Sequence, residues 1–266
     1  MKIDVQTYVQ GTNGVEYAEY LGRTLRKYQS GKHNITLKAF RGINTDCPDG
    51  WSSSGTFAVT TTQSSLQHGY ALMECMSKFD TDAEIAVIID ADTAVLYPGW
   101  DDVVSNECND SNQVWGWEFP NEMRRGARGY PGIFFLSIHR SAGLNWNFVP
   151  VLDDRGERCV KHIFKKTENR CLYGRNSVKC DTGWMIGLTC KEHRYSARAL
   201  PFVPRDSDMA MLSNMPFEKH HRLHQGEWHY QGRLFGTHKQ AARSHPINGK
   251  YGKQWTDRIE VYESTI

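Results

Sequence analysis

Residues 83–100 read AEIAVIIDADTAVLYPGW, and the apolar run from Ile85 to Ile89 leads straight into Asp90 and Asp92, with only Ala91 between them. Two carboxylates at the end of a buried strand offer the oxygen ligands that a hard divalent cation requires. If the backbone stays extended through the acids, Asp90 and Asp92 project to one side and Ala91 turns away. The competing meaning is a solvent-facing strand end or a helix cap ahead of YPGWDDVV, although a cap needs one acid and this chain supplies two. Asp181, in CDTGWMIG, stands at the expected start of a helix. There backbone N–H groups favour its anion, leaving it either a general base or a plain N-cap.

Further candidates are aromatic or basic. In FGTHKQAARSH, His238 is an imidazole suited to Mn²⁺, while Lys239, Arg243 and His245 could pair with phosphate oxygens or form a basic surface turn. Trp115 and Trp117 face one side of VWGWEF and either stack on a ligand or pack the sheet, and Trp184 carries the same ambiguity on its helix. Arg124, Arg125 and Arg128 form a basic loop that could grip an anionic ligand or simply stay solvated. His220, His221, His224 and His229 lack the spacing and cysteine partners of a structural zinc site.

The elements that must position these residues alternate between strand and helix. A short strand over 3–9 is followed by Gly11 and Gly14 as loop punctuation and then by a helical run over 16–28. Tyr17, Tyr20, Leu21, Thr24 and Leu25 form its inward face, with Arg23, Arg26 and Lys27 outside. NITLKAF, 34–40, alternates as a second strand. The polar run over 41–56 reads as a long loop, of the kind that is often functional. A helix over about 62–79 presents Leu66, Tyr70, Met73 and Met76 as its apolar stripe, and the acid-tipped strand follows. This rhythm predicts an α/β fold with a Rossmann-like, mostly parallel sheet flanked by helices, in which ligands bind beyond the carboxyl ends of strands.

Composition narrows the function classes. The chain has 266 residues, a length that α/β architectures commonly fold as one domain. Lys and Arg number 32 against 30 Asp and Glu, a net charge of +2 that advertises no nucleic-acid or anionic-membrane partner. MKIDVQTY lacks the pattern of a signal peptide and no stretch reaches the roughly 18 apolar residues of a membrane span, so a soluble, cytoplasmic protein is expected. Seven cysteines with no CxxC pair read as buried thiols rather than a disulfide framework.

The aliphatic strand ending in Asp-x-Asp, followed by Pro98 and Trp100, resembles the metal-binding DxD region of nucleotide-sugar glycosyltransferases with the GT-A fold. TYVQGTNGVEYAEYLGRTL is similar to their first strand and helix, with Thr7 and Tyr8 at the strand end. SSLQHGYALMECM is similar to the stretch preceding DxD, CDTGWMIG to the acceptor-side acidic motif, ARALPF to the strand after it, and FGTHKQAARSH to the late segment that meets metal and diphosphate.

The resemblance covers most of the chain and implies one glycosyltransferase domain, 1–266. A nucleotide-sugar-binding half spans 1–110, and an acceptor-binding half with a C-terminal metal and phosphate segment spans 111–266. It implies Mn²⁺ or Mg²⁺ held by Asp90, Asp92 and His238, and donor contacts from Thr7, Tyr8, Asp46, His68, Asp90, Lys239 and Arg243. Asp181 would serve as the base of an inverting displacement, with Trp117 and Trp184 at the acceptor. The partners implied are a nucleotide-sugar donor and a hydroxyl acceptor, with a modified nucleic-acid base left open by the arginines.

Two alternatives stand beside this reading. VIIDADTAV is also similar to the DxDxT region of haloacid-dehalogenase-type phosphatases, with Ser137 and the pair Asp153 and Asp154 as later members, although no lysine lies between them. The other is a catalytically inactive carbohydrate- or nucleotide-binding module of the same fold.

Overall fold

The computed structural model describes residues 1–58, 64–118, 130–143, 146, 148, 185–204, 208–212, 226–239 and 245–266. Strand β1 (Lys2–Val9) is buried along nearly its whole length, as befits a strand covered on both faces. Helix α1 (Gly11–Tyr28) buries Tyr17, Leu21, Thr24, Leu25 and Tyr28, so the inward stripe read from the sequence is the packed one. The helix begins earlier than expected: Gly14 lies inside it rather than in a loop, and Gly11 opens it at φ 68°, a conformation that favours glycine. Strand β2 (Asn34–Gly42) runs beside β1. The expected loop over 41–56 is interrupted by β3 (Ser52–Phe57), a serine-rich edge strand on which Ser52, Ser53 and Thr56 are exposed.

Helix α2 (Ser64–Met76) departs from expectation in its phase. Met76 is buried as expected, but Tyr70 and Met73, also expected inside, are 42% and 37% exposed, while Gln67, Ala71, Leu72 and Cys75 are buried. Next come β4 (Ile85–Ile89), buried throughout, and the three-residue β5 (Thr93–Val95). Then follow α3 (Trp100–Glu107), β6 (Val114–Glu118), β7 (Pro131–His139), α4 (Met185–His193), β8 (Ala197–Leu200), β9 (Phe202–Pro204), β10 (Gly226–Tyr230), β11 (Arg233–His238) and α5 (Lys250–Glu263).

The main sheet has the order β3-β2-β1-β4-β7-β6-β8, and β7 alone runs against its neighbours. The α/β class with a mostly parallel sheet flanked by helices is therefore as expected. The sequence carries no hint of a second, antiparallel sheet, β5-β11-β10-β9. Trp115, Trp117, Trp228, Phe135 and Phe235 pack in one aromatic cluster between the two sheets. Among the described residues no helix is long and apolar enough to cross a membrane.

Two features of this topology place the site. The chain leaves β1 for β2 and β3 on one side, then returns with β4 on the other, so the strand order reverses between β1 and β4. Open α/β sheets bind ligands in the crevice at such a reversal. In addition, Gln6 is in register with Ile88 and Ile88 with Leu136. Two residues further along each alternation, Tyr8, Asp90 and Phe134 share one face at the site edge. A hydrogen bond of 3.3 Å from the Asp90 N–H to the Phe134 carbonyl closes this row.

Candidate active site

Strand β4 is rigid up to Ile89 because every one of its side chains is buried. Beyond it the backbone does not stay extended, contrary to the sequence expectation. Residues 91 and 92 form a turn that carries the chain out of the main sheet and into β5 of the second. The two acids still converge, because β5 pairs antiparallel with β11 and that register sets His238 opposite Thr93, the residue after Asp92. The Lys239 N–H donates to the Asp92 carbonyl at 2.7 Å and locks this register.

One ligand atom from each of Asp90, Asp92 and His238 lies within 4.8 Å of the other two. His238 Nε2 is 3.1 Å from Asp92 Oδ1 and 3.7 Å from Asp90 Oδ2. The side chains of Asp90, Asp92 and His238 are 11%, 18% and 8% exposed, which screens them largely but not wholly from water. The His238 ring lies on Phe134 with centroids 4.2 Å apart, so packing and strand register aim it. Burial opposes charge on this imidazole, but Asp92 and Asp90 outweigh it and hold its pKa above the ordinary value. Two carboxylate oxygens and one imidazole nitrogen converging in this way fit Mn²⁺, and Mg²⁺ with water completing its shell.

His68, on α2, brings Nε2 to 3.4 Å from Asp90 Oδ1 and stacks on the Tyr8 ring at 5.8 Å between centroids. The Tyr8 hydroxyl accepts a hydrogen bond of 2.9 Å from the Gln67 side-chain amide. Sequence reasoning misses Gln67, because a lone glutamine in a helix carries no signal. Of the other expected donor contacts, Thr7 is fully buried and alternates to the face opposite Tyr8. Asp46 is exposed in the loop after β2 and lies outside the Asp90–Asp92–His238 group. Lys239 is fully buried, so the surface-turn alternative does not describe it. Burial lowers its pKa to about 8, with Asp92 pulling in the opposite direction.

Burial decides between several of the alternatives. Trp117 is 1% exposed, stacks on Trp228 and donates to the His229 carbonyl, so the packing alternative describes it and the acceptor-stacking expectation is corrected. Trp115 is fully buried beside it. His229 contacts Glu227 at 3.0 Å, and Glu227 accepts the Met211 and Leu212 N–H groups at 2.7 Å each, a clip holding the 208–212 segment. The phosphatase alternative loses ground: Thr93 follows Asp92 directly, one residue short of DxDxT. Ser137 is fully buried in β7 opposite Val87, not beside Asp90. Cys47, Cys75, Cys108 and Cys190 are free thiols. Asp181, Trp184, Arg243, Asp153, Asp154, Arg124, Arg125, Arg128, His220, His221 and His224 lie outside the described residues.

No protein-family model matches the chain, and no curated protein does. Among solved structures it is similar to the galactosyltransferase LgtC in complex with donor and acceptor sugar analogues. That likeness has a TM-score of 0.38 and 11% identity, over 51% of this chain and 57% of that one. It is also similar to an active-site mutant of LgtC, with a TM-score of 0.38 and 10% identity over 52% of this chain and 57% of that one. The chain thus spans little more than half the length of the structures it matches.

Proposed function

We propose that this protein is a metal-dependent glycosyltransferase that moves a sugar from a nucleotide diphosphate donor to an acceptor hydroxyl. The observation that carries the reading is the convergence of Asp90, Asp92 and His238 at the carboxyl edge of the sheet, where the strand order reverses. Held by these three residues, a Mn²⁺ or Mg²⁺ ion would supply Lewis-acid neutralisation of the departing diphosphate. The protein's own residues do the remaining work. Tyr8 and His68 form the wall of the crevice on the β1 side, Lys239 adds positive charge behind Asp92, and Asp46 and Arg243 are assigned to the donor on sequence grounds. Thr7, turned to the far face of β1, can contribute only through its backbone.

Asp181 is assigned as the general base of an inverting displacement, accepting the acceptor's hydroxyl proton as its oxygen attacks, with Trp184 beside the acceptor. General-base catalysis of this kind contributes about 10²–10⁴-fold. We also propose that 1–110 supplies the donor side and 111–266 the acceptor side with the late metal and phosphate residues. Nucleotide sugars screened by thermal shift with and without Mn²⁺, followed by product analysis with the best binder, test the reading. Metal-dependent stabilisation together with sugar release or transfer supports it. Stabilisation without turnover would favour a binding module, and no metal-dependent stabilisation by any nucleotide sugar would contradict it.

A further inference from the structure

The site contains one acid held from both sides. Asp90 Oδ2 lies 3.7 Å from His238 Nε2, while its other oxygen, Oδ1, lies 3.4 Å from His68 Nε2. His68 belongs to α2, an element that contributes nothing to the Asp90–Asp92–His238 group itself. A side chain one turn into a helix can aim at a partner only if its ring is fixed, and two contacts fix this one. The ring stacks on Tyr8 with planes 28° apart, and Tyr8 is in turn held through its hydroxyl by the neighbouring residue of the same helix, Gln67. Gln67 is 3% exposed and Tyr8 8%, so both ends of that hydrogen bond are out of water, where a broken bond costs most. Two consecutive residues of α2 therefore grip Tyr8, one by its hydroxyl and one by its ring face.

We infer that His68 is a positioning residue for Asp90, and that the Gln67–Tyr8 pair is the anchor that makes it one. His68 presents an N–H to Asp90 Oδ1, which orients the carboxylate so that Oδ2 faces Asp92 and His238. Carboxylates that bind metals are commonly aligned by such outer partners, whose loss costs 10–100-fold in metal affinity. The arrangement also ties α2 to the metal group, so that a displacement of the helix is felt at Asp90. This inference rests on the metal-site reading above and goes beyond it by assigning His68 to the protein's own carboxylate rather than to the donor.

The test is Mn²⁺ affinity measured by electron paramagnetic resonance without nucleotide, on wild type, His68→Ala, His68→Gln, Gln67→Leu and Asp92→Asn, with thermal melts to verify folding. Wild type should bind Mn²⁺ and Asp92→Asn should not. His68→Ala should weaken binding roughly tenfold, the lower end of that range. His68→Gln, which keeps an N–H donor, should recover much of the loss, and Gln67→Leu should show a smaller one. Unchanged Mn²⁺ affinity in folded His68→Ala, with Asp92→Asn dead, would overturn this inference and leave the metal site standing. Wild type that fails to bind Mn²⁺ would remove the metal reading and this inference together.

Discussion

The two ends of the main sheet treat their acids differently. At the amino end, Asp4 is fully buried and lies 2.8 Å from Lys38 Nζ, which also reaches Asp80. Lys2 lies 2.9 Å from Asp80 and 2.8 Å from Asp82, and the Asp80 N–H donates to Asp4. Each acid there is met by a lysine that is charged at any physiological pH. At the carboxyl end, the side chains at contact distance from Asp90 and Asp92 include the imidazoles of His68 and His238, groups that carry a full charge only when protonated. The lysines at the amino end already neutralise their acids, whereas an imidazole does so only when protonated. β1 shows the division within a single strand, with Asp4 in the first network and Tyr8 beside the second.

The amino-end network should matter for folding alone. Replacing Lys38 by Met leaves the Asp4 carboxylate buried without its cation, and loss of one partner of a buried pair costs about 3 kcal/mol. Urea unfolding should show that loss while Mn²⁺ binding stays normal. Weakened Mn²⁺ binding in the folded variant would break the separation of the two ends.

A smaller effect should cross from the second sheet to the metal group. A Cβ at Gly226 would sit 2.3 Å from the Phe202 ring and 2.5 Å from the Val203 carbonyl. Phe202 packs on Phe134, and Phe134 on His238. Gly226→Ala should therefore cost about 1–3 kcal/mol by overpacking and also weaken Mn²⁺ binding. Stability lost with metal affinity untouched would show that the aromatic stack does not aim His238.

Acid titration sharpens the contrast further. Hydrogen bonds from Lys38 and Lys2 hold Asp80 below the ordinary carboxylate pKa, and Lys2 does the same for Asp82. In the unfolded chain these acids take up protons first, so their contribution is complete above about pH 5 and is lost as pH falls through the folded values. The urea midpoint should drop below that pH in wild type and drop less in Lys38→Met. The smallest effect is expected for Asp82→Asn: its side chain is 73% exposed, and such surface pairs are largely screened by water. Its melting temperature at pH 7 should match wild type, and a marked fall would mean that the network extends to its exposed edge.

What the sequence discloses follows from how local each signal is. An apolar run tipped by two acids is a local pattern, so β4 and the acid pair are legible. The convergence of the acids is expected from an extended backbone but arises otherwise, since the turn at 91–92 and the pairing of β5 with β11 depend on residues far apart in the chain. β5 and β9 have three residues each, too few for periodicity to register, so the two outer strands of the second sheet are invisible in the sequence. Periodicity misphases helix α2 because Tyr70 and Met73 are large and apolar yet lie on its outer side. With the phase wrong, Gln67 cannot be read as facing Tyr8. His238 is identifiable only through the resemblance of its segment, because its contact with Asp92 spans 146 positions.

The proposed activity turns on whether Asp90, Asp92 and His238 bind a divalent cation. A Mn²⁺ titration of wild type beside Asp92→Asn, monitored by isothermal calorimetry, tests this directly. Asp92→Asn keeps the size of the side chain and removes an anionic ligand. One Mn²⁺ bound by wild type and none by the variant, with equal melting curves for the metal-free proteins, is the result this geometry predicts. Equal Mn²⁺ binding by the two proteins, or none by either, would contradict it.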